Sequence, residues 1–137
     1  MNWSARYIGL PFRNRGRDLD GCDCWGLARL VYGRELGIEL PGYGESYACV
    51  SERAEISALI GAATEAGTWR RVSAPAAFDL HLLRNGLHDS HVAIAVDAVR
   101  MLHMDQGQQA RVVRLDDPRW SRRYVASFRH ADLEGRP

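Results

Sequence analysis

The chain contains no lysine: all 18 of its basic residues are arginine. They are scattered, so the bias reads as one of composition and not as an array for binding phosphate or carboxylate. Against 17 acidic residues they leave a formal net charge of +1, which excludes a strong field that would recruit nucleic acid or an anionic membrane surface. No apolar stretch approaches the roughly 20 residues of a membrane span. The start, Met1-Asn2-Trp3-Ser4-Ala5-Arg6, lacks the charged-then-apolar order of a secretory signal peptide, so synthesis in the cytoplasm is expected. Cysteine is scarce and odd in number: Cys22, Cys24 and Cys49. The first two are too close to bridge comfortably, nothing resembles a secreted disulfide framework, and reduced thiols are expected. No internal repeat, low-complexity segment or interdomain linker interrupts the sequence. The length of 137 residues fits one domain, residues 1–137, with a core of its own.

What is present centres on Gly21-Cys22-Asp23-Cys24-Trp25-Gly26 and the run that follows it. Cys24, Leu27, Ala28 and Val31 recur with the spacing of one buried helical face. Asp23 stands where an N-cap belongs, and Gly37 followed by Pro41 supplies the stop. Cys24 is thus predicted in the first turn of a helix reaching to about Leu36, beside the positive end of the dipole and its unsatisfied N–H groups. A thiol in that position loses its proton more readily and becomes a nucleophile.

Upstream, Asn2 to Gly9 reads as a short helix with Trp3, Tyr7 and Leu10 on one side, and Phe12 to Gly21 as an irregular loop. Gly37 to Tyr47 reads as an exposed connection. A second helix is expected from Ser51 to about Ala66, with Ile56, Leu59, Ile60 and Ala63 buried. The period then changes to alternation. Strands are predicted at Phe78 to Leu83, His91 to Val96, Val99 to Met104, Ala110 to Leu115 and Tyr124 to Arg129. Turns are expected at Asn85-Gly86, Asp97-Ala98 and Asp105-Gln106-Gly107, and the tail from Glu134 is expected to fray. Helices first and strands afterwards make an α+β domain with an antiparallel sheet.

A thiolate nucleophile needs a base, and the base needs an orienting partner. His91 opens the cleanest strand and shares its face with Ala93 and Ala95, small residues that would let the helix beginning at Cys24 pack closely. His103 lies on the next strand, where a hairpin register brings it beside the His91 ring. One imidazole would take the Cys24 proton while the second fixes its tautomer. His81, His88 and His130 read as surface or structural residues. Spacing alone leaves a rival open, because Cys22, Cys24, His91 and His103 also form a two-Cys, two-His set of the kind that holds zinc.

The segment Gly21-Cys22-Asp23-Cys24-Trp25-Gly26-Leu27, preceded by Tyr7-Ile8-Gly9-Leu10-Pro11-Phe12, resembles the nucleophile region of the NlpC family of cell-wall cysteine peptidases, whose fold is a pared-down papain. Members typically read Asp-Cys-Ser-Gly there, after a segment of the type Gly-x-Pro-Tyr-x-x-Gly-Gly. Ser90-His91-Val92-Ala93-Ile94 is similar to the family's His-Val-Gly-Ile strand. Met101-Leu102-His103-Met104 matches its second polar residue, and Ala77-Phe78-Asp79-Leu80 its Pro-Gly-Asp-Leu. The resemblance implies Cys24 as nucleophile, His91 as base and His103 as the orienting third member. It requires neither a cofactor nor a metal. Asp23 is read as a cap, Trp25 as a candidate for substrate contact, and Cys22 and Cys49 as small buried residues. Phe12 stands where the family commonly has a tyrosine whose hydroxyl lies near the nucleophile, and Asn14-Arg15-Gly16 replaces the usual paired glycines.

Trp25, the run Gly33 to Pro41 and the stretch Arg119 to Arg129-His130 further resemble the phage-tail and gene-transfer-agent branch. That resemblance implies a tail-tip peptidase carried by a particle to the cell wall. Its partners would be peptidoglycan stem peptide and tail or hub proteins, and the bond cut a stem-peptide amide such as D-glutamyl–diamino acid. The alternative from another class is an NlpC-like assembly or wall-docking module with a weak or silent site, which the Phe12 substitution favours.

Overall fold

Residues 3–12, 17–18, 21–22, 24–40, 69–85, 88–104 and 109–133 are described by the structure, a computed structural model, with the backbone alone at residues 17–18, 21–22, 24–25, 85 and 88–90. Period-two alternation in the second half of the chain produces one six-stranded sheet. Its strands are β3 (Trp69–Val72), β4 (Leu80–Asn85), β5 (His88–Ala95), β6 (Arg100–His103), β7 (Arg111–Arg114) and β8 (Tyr124–His130). They lie in the order β3-β8-β4-β5-β6-β7, and every neighbouring pair is antiparallel. Two further strands, β1 (Arg17–Asp18) and β2 (Gly21–Cys22), pair with each other, Arg17 against Cys22. The stretch expected to be a wholly irregular loop therefore holds a small ribbon leading into the nucleophile helix.

That helix, α1, spans Cys24–Val31 and continues as a π-helical turn over Tyr32–Leu36, closed by Gly37 at φ 68°. Glycine reaches this left-handed conformation without a Cβ clash, as the sequence leads one to expect. The buried stripe Leu27, Ala28 and Val31 joins Leu80, Leu82, Val92, Ile94 and Leu102 in the main core. Each of the leucine, valine and isoleucine side chains contributes roughly 1.5–3 kcal/mol of burial. The connection after the helix is not wholly exposed. Ile38 and Leu40 are buried, and the Arg29 Nε donates to the Leu40 carbonyl at 2.9 Å, drawing the chain back onto the core.

At the N-terminus a 3-10 turn, Trp3–Arg6, places Tyr7 fully inside. Its hydroxyl donates to Glu35 Oε2 at 2.6 Å. Burial and then the Glu35 carboxylate push the phenol up to about 12. Beyond it, Gly9 N–H donates to the Ala110 carbonyl and Ala110 N–H to the Leu10 carbonyl, each at 2.8 Å. Pro11 bridges Gln109. This stitches the segment ending at Phe12 to the lead-in of β7.

The expected strand at Phe78 begins later, at Leu80, because Phe78 itself takes φ 73°. Side chains with a Cβ rarely adopt this conformation. Phe78 is held by stacking on Trp3 at 4.6 Å, by its N–H donating to the Ala95 carbonyl, and by the Tyr32 hydroxyl donating to its own carbonyl. Burial raises the Tyr32 phenol, with Asp79 a second cause. The hairpin at Asp97 forms as expected. Its carboxylate accepts from the N–H groups of Val99 and Arg100, lowering it to about 2. Besides the β1–β2 ribbon, two elements are new: the strand β3, which pairs with β8 at the end of the sheet, and a one-turn helix, α2 (Pro118–Ser121), capped by Asp117, whose side chain accepts from Arg119 N–H. A final 3-10 turn spans Ala131–Leu133. The expected second helix, the Asp105-Gln106-Gly107 turn and the C-terminal tail lie outside the described residues. Among the described residues, no helix is long and apolar enough to cross a membrane.

Candidate active site

Alternation gives the central strands two unlike faces. Val92, Ile94 and Leu102 point to the main core. Ala93 and Met101 instead pack with Leu83 and Trp120, with Val113 and Leu115 at the margin. Across this second face the registers align a row of residues. Ser127 pairs with His81, His81 with Ala93, Ala93 with His103, and His103 with Arg111. Ala93, the smallest member of the row, is the residue between the two histidines.

His91 stands two residues before Ala93 on the same face. Leu83 pairs with His91 while Arg84 pairs with Asp89, so Ser90 is the extra residue of a bulge next to His91. Bulges of this kind bend a strand and re-aim the neighbouring side chain. His91 Nε2 lies 3.2 Å from His103 Nδ1, with the rings at 5.4 Å and 87°. Both are buried, His91 at 3% exposure and His103 at 0%. A contact between two imidazole nitrogens requires one to carry a proton and the other a lone pair, so each ring fixes the tautomer of the other. Because Nε2 of His91 is engaged with His103, Nδ1 is the atom that would serve a nucleophile.

The His103 ring in turn meets Trp120 at 4.4 Å and 66°. On the far side of Ala93, His81 Nδ1 is 2.7 Å from Ser127 Oγ, and the Tyr124 hydroxyl also meets that oxygen. Burial lowers His81 to about 4, only partly offset by Asp79. Asp79 is buried and gripped by Arg129 through Nε at 2.9 Å and Nη2 at 2.8 Å, a bidentate pair that anchors the start of β4 to β8.

Of the residues singled out in the sequence, His91 and His103 are thus brought together. Cys24 is the first residue of α1, and α1 packs against β5. The buried stripe of α1 joins the cluster of Val92 and Ile94, while Ala93 packs with Leu83, Met101 and Trp120. The small-residue face therefore makes room for two imidazoles and an indole, and not for the helix stripe as expected. Phe12 is half-buried against the main core. Trp25 follows Cys24 in α1, and Cys22 ends the β2 strand. Asp23 and Cys49 lie outside the described residues. Among the described residues no group of three metal-ligating side chains occurs. His81 and His130 are buried within the fold and not at the surface. His130 packs edge-on against Trp69 at 4.8 Å.

The NlpC/P60 family matches residues 9–129. The chain belongs to that family. Its fold is shared with the NlpC/P60 domain of the peptidoglycan hydrolase SagA, at 25% identity and a TM-score of 0.62, with 92% of each chain covered. It is also shared with a lipoprotein-like NLP/P60 family protein of Staphylococcus aureus, at 22% identity and a TM-score of 0.65. A family protein of Bacillus cereus aligns at 19% identity and a TM-score of 0.66. The match covers 93% of this chain in both cases, but only 38% of the S. aureus protein and 37% of the B. cereus one. A comparison with curated proteins finds no match. The α+β architecture with an antiparallel sheet is the papain-like fold of this family, whose members are cysteine peptidases and related hydrolases.

Proposed function

We propose that the chain is a cysteine peptidase that hydrolyses stem-peptide amides of peptidoglycan, with Cys24 as nucleophile, His91 as base and His103 as the group that orients His91. The observation that carries this reading is the 3.2 Å contact between His91 Nε2 and His103 Nδ1, made on a strand against which the helix beginning at Cys24 is packed. Family membership and the likeness to a peptidoglycan hydrolase domain support the substrate class.

In this mechanism His91 Nδ1 takes the Cys24 proton, and the thiolate forms a C–S bond to the amide carbonyl carbon. The resulting oxyanion is met by backbone N–H groups at the start of α1, which carry more of the stabilisation because Phe12 has no hydroxyl. The C–N bond then breaks as His91 gives its proton to the leaving amine. Water, deprotonated by His91, attacks the thioester, and the thiol is regenerated. His103 holds the imidazole and stabilises its cationic form. Delivery to the wall by a phage-type tail particle, through contacts with tail or hub proteins, is the cellular setting we propose, on the motif resemblance of Trp25, Gly33 to Pro41 and Arg119 to His130.

The rival reading is a wall-docking or assembly module, favoured by Phe12. Purified muropeptides incubated with wild type and Cys24→Ser separate the two. The peptidase reading expects cleavage products from the wild type, none from Cys24→Ser, and equal muropeptide binding by both. Binding without cleavage by the wild type would overturn it.

A further inference from the structure

Trp120 forms no part of the nucleophile–base–orienter set, yet its ring is in contact with His103, the last member of that set. The indole is 4% exposed and packs with Leu83, Ala93 and Met101, of which Leu83 is the strand partner of His91 and Ala93 that of His103. Its delivery is well determined. Asp117 caps α2, Pro118 begins it, and the N–H groups of Trp120 and Ser121 both donate to the Asp117 carbonyl. The Arg123 guanidinium then lies over the indole at 5.1 Å, and its Nε donates to the Arg84 carbonyl. A whole turn of chain is thus spent on fixing one ring.

Among the described residues the buried Trp120 Nε1 finds no hydrogen-bond partner. An unsatisfied buried donor lowers stability, and an aliphatic side chain such as leucine would fill much of the space without it. The indole is therefore unexplained as filler, and what it does have is a specific ring-on-ring contact with His103. A histidine ring turns about χ2 in a broad, roughly two-fold well. Turning His103 over would replace Nδ1 with a carbon and break the contact to His91.

We propose that Trp120 is a positioning residue whose indole holds the His103 ring in the orientation that presents Nδ1 to His91 Nε2. The inference rests on the peptidase reading for its catalytic consequence, but its physical content is independent of activity. Long-range nitrogen–proton NMR spectra of the histidine rings report the tautomers directly. Wild type is expected to give one defined tautomer each for His91 and His103. Trp120→Phe, which keeps a flat ring, is expected to preserve both. Trp120→Leu is expected to give averaged shifts at His91 and His103, with His81 unchanged. On muropeptides, Trp120→Leu would lower kcat by about 100-fold, the scale of a small misplacement of a catalytic group, with KM within about twofold and Trp120→Phe restoring most of the rate. Unchanged tautomers in a folded Trp120→Leu, or equal losses in the Leu and Phe variants that merely follow Tm, would overturn the proposal. A wild type with defined tautomers but no hydrolysis would instead overturn the peptidase reading and leave the positioning role supported.

Discussion

The two faces of the central sheet are made from the same strands and have opposite characters. On one, Val92, Ile94, Leu82 and Leu102 meet Leu27 and Val31 of α1 and form the main core. On the other, His81, His91, His103 and Ser127 are buried as well, but their polar atoms are organised around Ala93. Burial therefore does not distinguish the face that stabilises from the face for which we propose the chemistry. The difference lies in what the burial encloses. Apolar groups gain from leaving water, whereas imidazoles must find partners, and the partners they find here fix their orientation.

Two residues of β5 on opposite faces offer the sharpest way to break the comparison. His91→Ala is expected to reduce muropeptide hydrolysis by at least about 10³-fold, as losses of a catalytic unit do, while its urea midpoint stays near that of the wild type. A midpoint that collapses along with activity would show that the polar face is structural. Ile94→Ala should do the reverse. Its side chain is fully buried, so the substitution is expected to cost about 3 kcal/mol of unfolding free energy, with hydrolysis per folded molecule retained. Lost activity in the folded variant would mean that the faces are coupled.

The smallest effect is a dependence on pH. His81 stays neutral in the folded protein down to about 4 because it is buried, whereas the unfolded chain takes up a proton near the ordinary histidine value of about 6.5. Between those values the unfolded state binds more protons. The contribution is therefore fully present above pH 6.5, is lost as pH falls toward 4, and levels off below it. The loss is at most about 3 kcal/mol. Urea titrations at several pH values should show a shallower dependence in His81→Gln than in the wild type, and equal slopes would remove His81 as the cause.

Five of the sheet's six strands and the histidine pair were legible in the sequence because both depend on period-two alternation; β3 was not among them. Val92, Ile94 and Val96 declare one face of β5, and the same count puts His91 on the other. The short Asp97 turn then sets the register that carries His103 across to Ala93. What stayed hidden has no periodic signature. The bulge at Ser90 appears only when β4 and β5 are paired. The left-handed Phe78 stands where local preference asks for glycine, and three tertiary contacts hold it there. Ile38 and Leu40 lie in a stretch punctuated as loop, and the Arg29 bond to the Leu40 carbonyl helps draw that stretch inward. Asp117-Pro118 is a cap-and-N1 signal that could have revealed α2. Nothing local, however, says that Trp120 reaches His103.

The central claim is that His91 activates Cys24, and the pH dependence of iodoacetamide labelling at Cys22, Cys24 and Cys49, read by mass spectrometry with and without a chelator, tests it without any choice of substrate. The account predicts that Cys24 labels rapidly well below the ordinary thiol value of about 8.5, that His91→Ala returns it to that range, and that the chelator changes nothing. A Cys24 that titrates like a free thiol in the wild type, or that is protected until chelator is added, would contradict it.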